Sequence, residues 1–278
     1  IYLFVGEIIL MIKYINPPLN YMGSKYKLLP QLEPLLDYSK KSFIDVFTGG
    51  GSVALNLGLN FDSVVMNDII STDIHKAFIE NRYNFISEVK RYCVKKDDSK
   101  GYLELRKRYN ASFNPAMLMA LILCCNSNMM RFNKKGEFNQ TFGKRTYNES
   151  TEQKVRDYLC RVSEFREKEI PIITRKDRFQ AIKWFKEDMV YLDPPYFNTE
   201  AGYNVFWSKV EENHLLEKCL STVASVAVSG VLFDKKENSP LLLGLEARGW
   251  KKTILDMDYS KVRKNLENGY QEVLFTNY

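Results

Sequence analysis

The chain has 278 residues, 45% apolar and 27% charged, the balance of a globular protein of one large domain or of a domain carrying an insertion. No apolar run approaches the roughly 20 residues of a membrane span, and five cysteines without Cys-x-x-Cys spacing beside two histidines argue against a disulfide framework or a zinc site. A net charge of +6 fits a polyanionic partner without proving one.

Residues 1–10 are apolar, with Glu7 their sole charge and no basic leader, a poor signal peptide. We read residues 1–11 as an N-terminal extension ahead of the working domain. Pro17, Pro18, Gly23 and Ser24 then mark a loop, and a helix is expected over 26–37. Residues 42–52 read as strand, glycine loop (Gly49, Gly50, Gly51) and helix start, where free backbone N–H groups and close approach suit a ligand. The loop lacks both the dinucleotide fingerprint and the Gly-Lys-Ser/Thr of a P-loop. A second strand, 64–67, ends at Asp68, the position where an acid typically bonds a ribose. Glycine loop and Asp68 together suggest a nucleoside-bearing cofactor that makes no demand for phosphate binding, or else a generic α/β turn with a strand-end aspartate.

Residues 71–125 carry helical periodicity. The stretch 126–147 is polar and basic, with Arg131, Lys134, Lys135, Lys144 and Arg145 against Glu137 alone, and Phe132, Phe138 and Phe142 interleaved. It reads as a β-hairpin turning at 134–137, of a kind that could read a duplex groove or equally form a basic surface hairpin. After a helix over 149–168, strands are expected near 170–174, 189–192, 224–231, 253–256 and 272–275, with helices at 208–220 and 238–248. With the strands near 43–47 and 64–67 these make a seven-stranded doubly wound α/β sheet. Residues 12–70 and 169–278 would form it, and 71–168 would be one helical and hairpin insertion.

Asp193-Pro194-Pro195-Tyr196 stands at the carboxyl end of the strand 189–192. Neither proline can continue a ladder. The acid, the exposed carbonyls and the flat ring could clamp the exocyclic amine of a nucleobase, or simply end a strand in a Pro-Pro turn.

These motifs, in this order, resemble the Dam family of DNA adenine-N6 methyltransferases, with the α-class arrangement and a likeness to its phage members. The resemblance covers residues 12–278. It implies a Rossmann-like S-adenosylmethionine-dependent sheet, with 71–168 as the target-recognition insert, double-stranded DNA as partner and GATC as target. No membrane or metal partner is implied. The resemblance makes Asp193, Pro194, Pro195 and Tyr196 catalytic. It gives S-adenosylmethionine to Tyr21, Lys25, Asp45, Phe47, Gly49, Gly50, Asp68, Ile69, Phe179 and Asp193, with Lys25 on the methionine carboxylate, Asp68 on the ribose, and Ile69 and Phe179 on the adenine. It assigns DNA contacts to Ser127, Asn128, Met129, Arg131, Asn133, Asn139, Lys144 and Arg145, and to Tyr203 in a loop that closes near a flipped base. Thr141 replaces a proline common in the family, which bears on one base pair of the site. Reduced thiols fit a cytoplasm, that of a bacterium or of a phage-infected host. A cytosine-N4 or RNA amine methylase, a small-molecule methyltransferase and a non-catalytic DNA-binding protein are the rival readings.

Overall fold

All seven expected strands lie in one sheet, in the order β3-β2-β1-β4-β5-β7-β6. They are β1 (Ser42–Asp45), β2 (Ser63–Asn67), β3 (Ile172–Arg175), β4 (Asp188–Leu192), β5 (Ser225–Phe233), β6 (Lys251–Leu255) and β7 (Tyr270–Thr276). The structure is a computed structural model that describes residues 13–21, 23–196, 207–233, 237–256 and 269–278, so the expected extension 1–11 falls outside it. Strands β3 to β5 pair in parallel through β2, β1 and β4, and β7 runs antiparallel between β5 and β6. The chain leaves β1 in one direction and returns through β4 on the other side. This reversal opens a crevice at their carboxyl ends, where open α/β sheets hold ligands.

A parallel sheet covered on both faces needs strands that are apolar on both sides. Strand β4 meets this with Met189, Val190, Tyr191 and Leu192, all fully buried. Alternation sends Phe43, Met189 and Tyr191 into one core and Ile44, Val190 and Leu192 into the other. The first core is closed by α1 (Leu29–Leu32), α2 (Ser52–Leu57) and the helices that follow β2. The second is closed by α7 (Lys209–Leu220) and α8 (Pro240–Ala247). The helix expected over 26–37 breaks into a 3₁₀ turn, the short α1 and a second 3₁₀ turn. Pro30 and Pro34 cause this, since each lacks an N–H and crowds the carbonyl four residues back.

Between β2 and β3 run α3 (Thr72–Tyr92), α4 (Ser99–Ser112), α5 (Pro115–Cys124) and α6 (Glu149–Glu167). Helix α5 buries every residue from Ala116 to Cys124 and packs against both α3 and α4. It is therefore the centre of this layer rather than a surface helix. The expected hairpin forms only two isolated bridges, Phe132 to Phe138 and Cys125 to Phe142, and no strand. The two sides of the turn do pair, through the Asn133 N–H on the Glu137 carbonyl at 2.9 Å and the Asn139 N–H on the Arg131 carbonyl at 3.0 Å, and side chains of α4 take backbone groups on the outer side. Asn110 bonds both the N–H and the carbonyl of Phe138, while Tyr102 and Arg106 donate to the Gln140 carbonyl.

Arg161 of α6 ties this layer to the sheet. Only 2% exposed, it donates to the Leu55 carbonyl at 2.9 Å, to Asn56 Oδ1 at 3.2 Å and to the Lys13 carbonyl at 3.2 Å. Asn56 in turn bonds both backbone groups of Ile15. Arg161→Met should lower the unfolding free energy by about 2–4 kcal/mol, because buried acceptors lose a charged donor. Denaturant titration measures this, and a loss within about 0.5 kcal/mol would contradict the role.

Candidate active site

A cavity of about 750 Å³ opens at the carboxyl ends of β1 and β4. Of the ten expected cofactor residues, all line it: Tyr21, Lys25, Asp45, Phe47, Gly49, Gly50, Asp68, Ile69, Phe179 and Asp193. Pro194, Pro195 and Tyr196 line it too. Residues spread over 175 positions of sequence thus meet because β1 and β4 are neighbours and the loop before α1 folds over their ends.

The glycine loop explains its own composition. Gly49 and Gly51 take φ of +52° and +84°, a region that side chains resist. A Cβ on Gly50 would come within 2.7 Å of the Leu19 carbonyl oxygen. Asp68 secures the loop from β2. Its carboxylate accepts from the N–H of Gly49 at 3.1 Å, of Ile70 at 2.7 Å and of Ser71 at 2.8 Å. Beneath the loop, buried His75 lies 2.8 Å from the Gly49 carbonyl through Nε2 and 3.0 Å from the Tyr158 hydroxyl through Nδ1. A carbonyl only accepts, so Nε2 carries the proton and the Tyr158 hydroxyl donates to Nδ1. Burial holds this imidazole below its usual pKa, which keeps it neutral in that role.

Lys25 lines the cavity and is tied to Asp193. It is 3% exposed, and its ammonium donates to the Asp193 carboxylate at 2.8 and 2.7 Å and to the Gly23 carbonyl at 2.8 Å. The ammonium is thus shared between the Asp193 carboxylate and the Gly23 carbonyl. The reason is local. Gly23, at φ +83°, turns the chain so that the short loop delivers the amine to the end of β4. The Lys25 ammonium also lies 5.0 Å from the centre of the Tyr196 ring, within cation–π range. Burial pushes the Asp193 carboxyl above the usual range, and Lys25 opposes that rise. Asp193 remains 19% exposed and keeps lone pairs for a further donor.

Asp45 is buried, and its Oδ1 has no hydrogen-bond partner among the described residues. Burial, and then the nearness of Asp193 and Asp68, push its carboxyl well above the usual range. Asp177 and Glu211 also line the cavity, as do Lys176 and Arg178, so with Asp45, Asp68 and Asp193 its five carboxylates outnumber its three cations, and the orphaned Asp45 oxygen suits a donor that carries positive charge. The far wall is apolar. The rings of Phe47, Phe179 and Trp207 meet at centroid distances of 5.4 to 6.1 Å, and Ile69 is 48% exposed. The residues present therefore fit S-adenosylmethionine on two counts, an acidic pocket for its cationic end and a slot for a flat ring.

Sequence reasoning gave no cavity role to Trp207 and none at all to His75 or Glu272. Glu272, buried in β7, accepts from the Tyr196 hydroxyl at 3.4 Å and the Tyr270 hydroxyl at 3.2 Å. Its signal was the single acid in an apolar strand.

Among the described residues, none of the expected DNA contacts lines this cavity. Ser127, Arg131, Lys144 and Arg145 are exposed, and Met129 is half-buried. The Asn133 side chain is spent on its own turn, accepting from the N–H of Lys135 and Glu137 and donating to the Glu137 carboxylate. Asn128 caps the end of α5 through the Ile122 and Leu123 carbonyls and accepts from Arg145. Asn139 Oδ1 is buried without a hydrogen-bond partner among the described residues. Tyr203 lies outside the described residues.

Against known proteins, the chain is 31% identical to the Type II methyltransferase M.FokI of Planomicrobium okeanokoites, over 95% of its own length and 43% of that protein. It is 29% identical to the modification methylase StsI of Streptococcus sanguinis, over 96% and 43% respectively. It thus spans under half the length of these two relatives. A DNA adenine methylase of Vibrio cholerae serotype O1 is 30% identical over 45% of this chain and 47% of its own. The family profile described as D12 class N6 adenine-specific DNA methyltransferase matches residues 21–238, the span from the loop over the cavity to the turn before α8. The chain belongs to the D12 class N6 adenine-specific DNA methyltransferase family.

Proposed function

We propose that this chain transfers a methyl group to the N6 amine of an adenine in double-stranded DNA, and that GATC is its site. The observation that carries the reading is the Asp193 carboxylate, held by Lys25 beside Tyr196 at the mouth of an acidic, apolar-walled cavity. S-adenosylmethionine is the methyl donor of the family and supplies an electrophilic methyl on a sulfonium.

The protein's part is to present a neutral amine. An adenine inside a duplex cannot reach the cavity, so it leaves the stack at a cost of roughly a few kcal/mol. Tyr196 offers a face for the base. Asp193 and the Pro194 carbonyl accept hydrogen bonds from the amine and draw its lone pair out of conjugation. The nitrogen that gains the methyl must shed a proton, and Asp193, with its raised pKa, is the acceptor. Lys25 fixes the carboxylate and keeps it ionised. Phe179 and Ile69 hold the cofactor's adenine, and Asp45 accepts from its ammonium. Most of the acceleration then comes from positioning.

Residues 71–168 are the target-recognition unit in this reading. Arg131, Lys144, Arg145 and Ser127 are the groups available to meet DNA, whereas Asn133 and Asn128 act by shaping the loops that carry them. Tyr203 is assigned to the loop that closes near the base. The GATC assignment rests on the likeness of the recognition stretch to the Dam pattern, with Thr141 as its departure. The reaction takes place in a cytoplasm.

Three outcomes follow. Asp193→Ala should lose methyl transfer while retaining cofactor affinity within about tenfold; full activity would remove the clamp from the mechanism. Duplexes differing only as GATC or GTTC should separate, with transfer to the first alone, and equal rates would discard the site. For pH, the active form carries ionised Asp193, so the rate falls as pH drops through its raised pKa. Lys25→Gln removes the cation that opposes the rise, so the acid limb of the kcat/KM profile should move to higher pH. An unmoved limb would place Lys25 outside Asp193's electrostatics.

A further inference from the structure

A second cavity, of about 360 Å³, lies beside the first and is assigned no role above. The segment 18–21 connects them: Pro18 and Asn20 line the second, Tyr21 the first. Its four cations come from three separate pieces of chain. Lys96 follows α3, Lys144 and Arg145 close the recognition stretch, and Lys154 lies in the second turn of α6. No acidic residue is among those that line it. The hydrogen bonds inside it are to neutral groups. Lys154 donates to Asn20 Oδ1 at 3.3 Å, and Arg145 to Asn128 Oδ1 at 2.5 Å.

Four cations lining one cavity of about 360 Å³ repel one another, and salt screens that repulsion only beyond roughly 8 Å at physiological strength. Lys154 is also half-buried, and that burial draws its ammonium below the usual pKa. A fold that collects uncompensated charge in a concave site has arranged for an anion to enter it. The polar lining, with Asn148, Ser150 and Thr151 among the lysines, offers several separate donors, which suits a tetrahedral oxyanion better than a planar carboxylate held by one arginine fork.

We infer that this cavity, walled by Lys96, Lys144, Arg145 and Lys154, seats one backbone phosphate of the DNA strand whose base enters the neighbouring cavity. The inference rests on the DNA reading above and adds two residues to it, Lys96 and Lys154, from outside the recognition stretch. A phosphate fixed there sets how far the strand is from the clamp, and so which nucleotide can swing into it. The contact positions the strand and carries no base information.

The test uses the whole chain and an unmethylated duplex. Lys96→Ala/Lys154→Gln should weaken duplex binding about tenfold at physiological salt and flatten the slope of log K against log salt by about one. Cofactor affinity should stay at the wild-type value, which shows that the variant is folded; the single variant Lys154→Gln provides the same readout if the double variant is unstable. Replacing backbone phosphates one at a time by neutral methylphosphonates should find one position near the target adenine that costs the wild type affinity and leaves the variant indifferent. An unchanged salt slope with no such position overturns the inference. Stabilisation of the wild type but not the variant by inorganic phosphate, with duplex binding unaffected, also overturns it, by making the site one for a free anion. Methyl transfer to DNA by the wild type separates the two claims: its absence fails the proposed function, while its presence beside an unchanged variant fails the phosphate seat alone.

Discussion

Three carboxylates at the carboxyl end of one buried sheet are a costly arrangement, and the Lys25 ammonium makes it tenable. Asp45, Asp68 and Asp193 line one cavity. Each is handled differently. Asp68 is neutralised by three backbone N–H groups, Asp193 by Lys25, and Asp45 is left with an unfilled oxygen. Asp177 and Glu211 add to the acids of the cavity and Lys176 and Arg178 to its cations, so the acids stay in excess. The Asp193 partner explains why Lys25 is so deeply buried, since a desolvated lysine is tolerated only against a full partner. The clamp, the glycine loop and the loop over them are therefore one electrostatic unit rather than three motifs.

That unit is joined to the rest of the molecule by short bonded chains. Gly49 is held from above by Asp68 and from below by His75, and His75 passes to Tyr158 of α6. Arg161, three residues on, ties the same helix to α2. The layer inserted between β2 and β3 thus grips the cofactor loop through buried polar contacts. Its cationic edge meets the second cavity one residue away from the first.

The strands were legible because a parallel sheet buried on both faces writes its strands as unbroken apolar runs, as Met189 to Leu192 shows. The end-of-strand acids and the glycine loop were legible for a related reason, since the topology puts strand ends where ligands bind. What depended on side-chain partners was not. The bond of Lys25 to Asp193, 168 residues away, depends on the turn at Gly23, and no local pattern shows it. The hairpin pairs only at isolated bridges, and its outer backbone groups are taken by Asn110, Tyr102 and Arg106 of α4, which no local pattern announces. Asn133 looked like a reader because asparagines read adenines; its turn claims it first. Pro30 and Pro34 did announce the broken helix, and their message was missed. The family assignment agrees with the resemblance drawn from the motifs. The family assignment does not reach the target sequence, which rests on the recognition stretch alone.

The central claim is that this cavity methylates the exocyclic amine of adenine in duplex DNA. The most direct measurement digests unmethylated duplex DNA to nucleosides after incubation with the protein and methyl-labelled S-adenosylmethionine, and separates the products. The account predicts label in N6-methyladenine and in no other nucleoside. Label in N4-methylcytosine, or none in DNA while the protein still binds the cofactor, would contradict it.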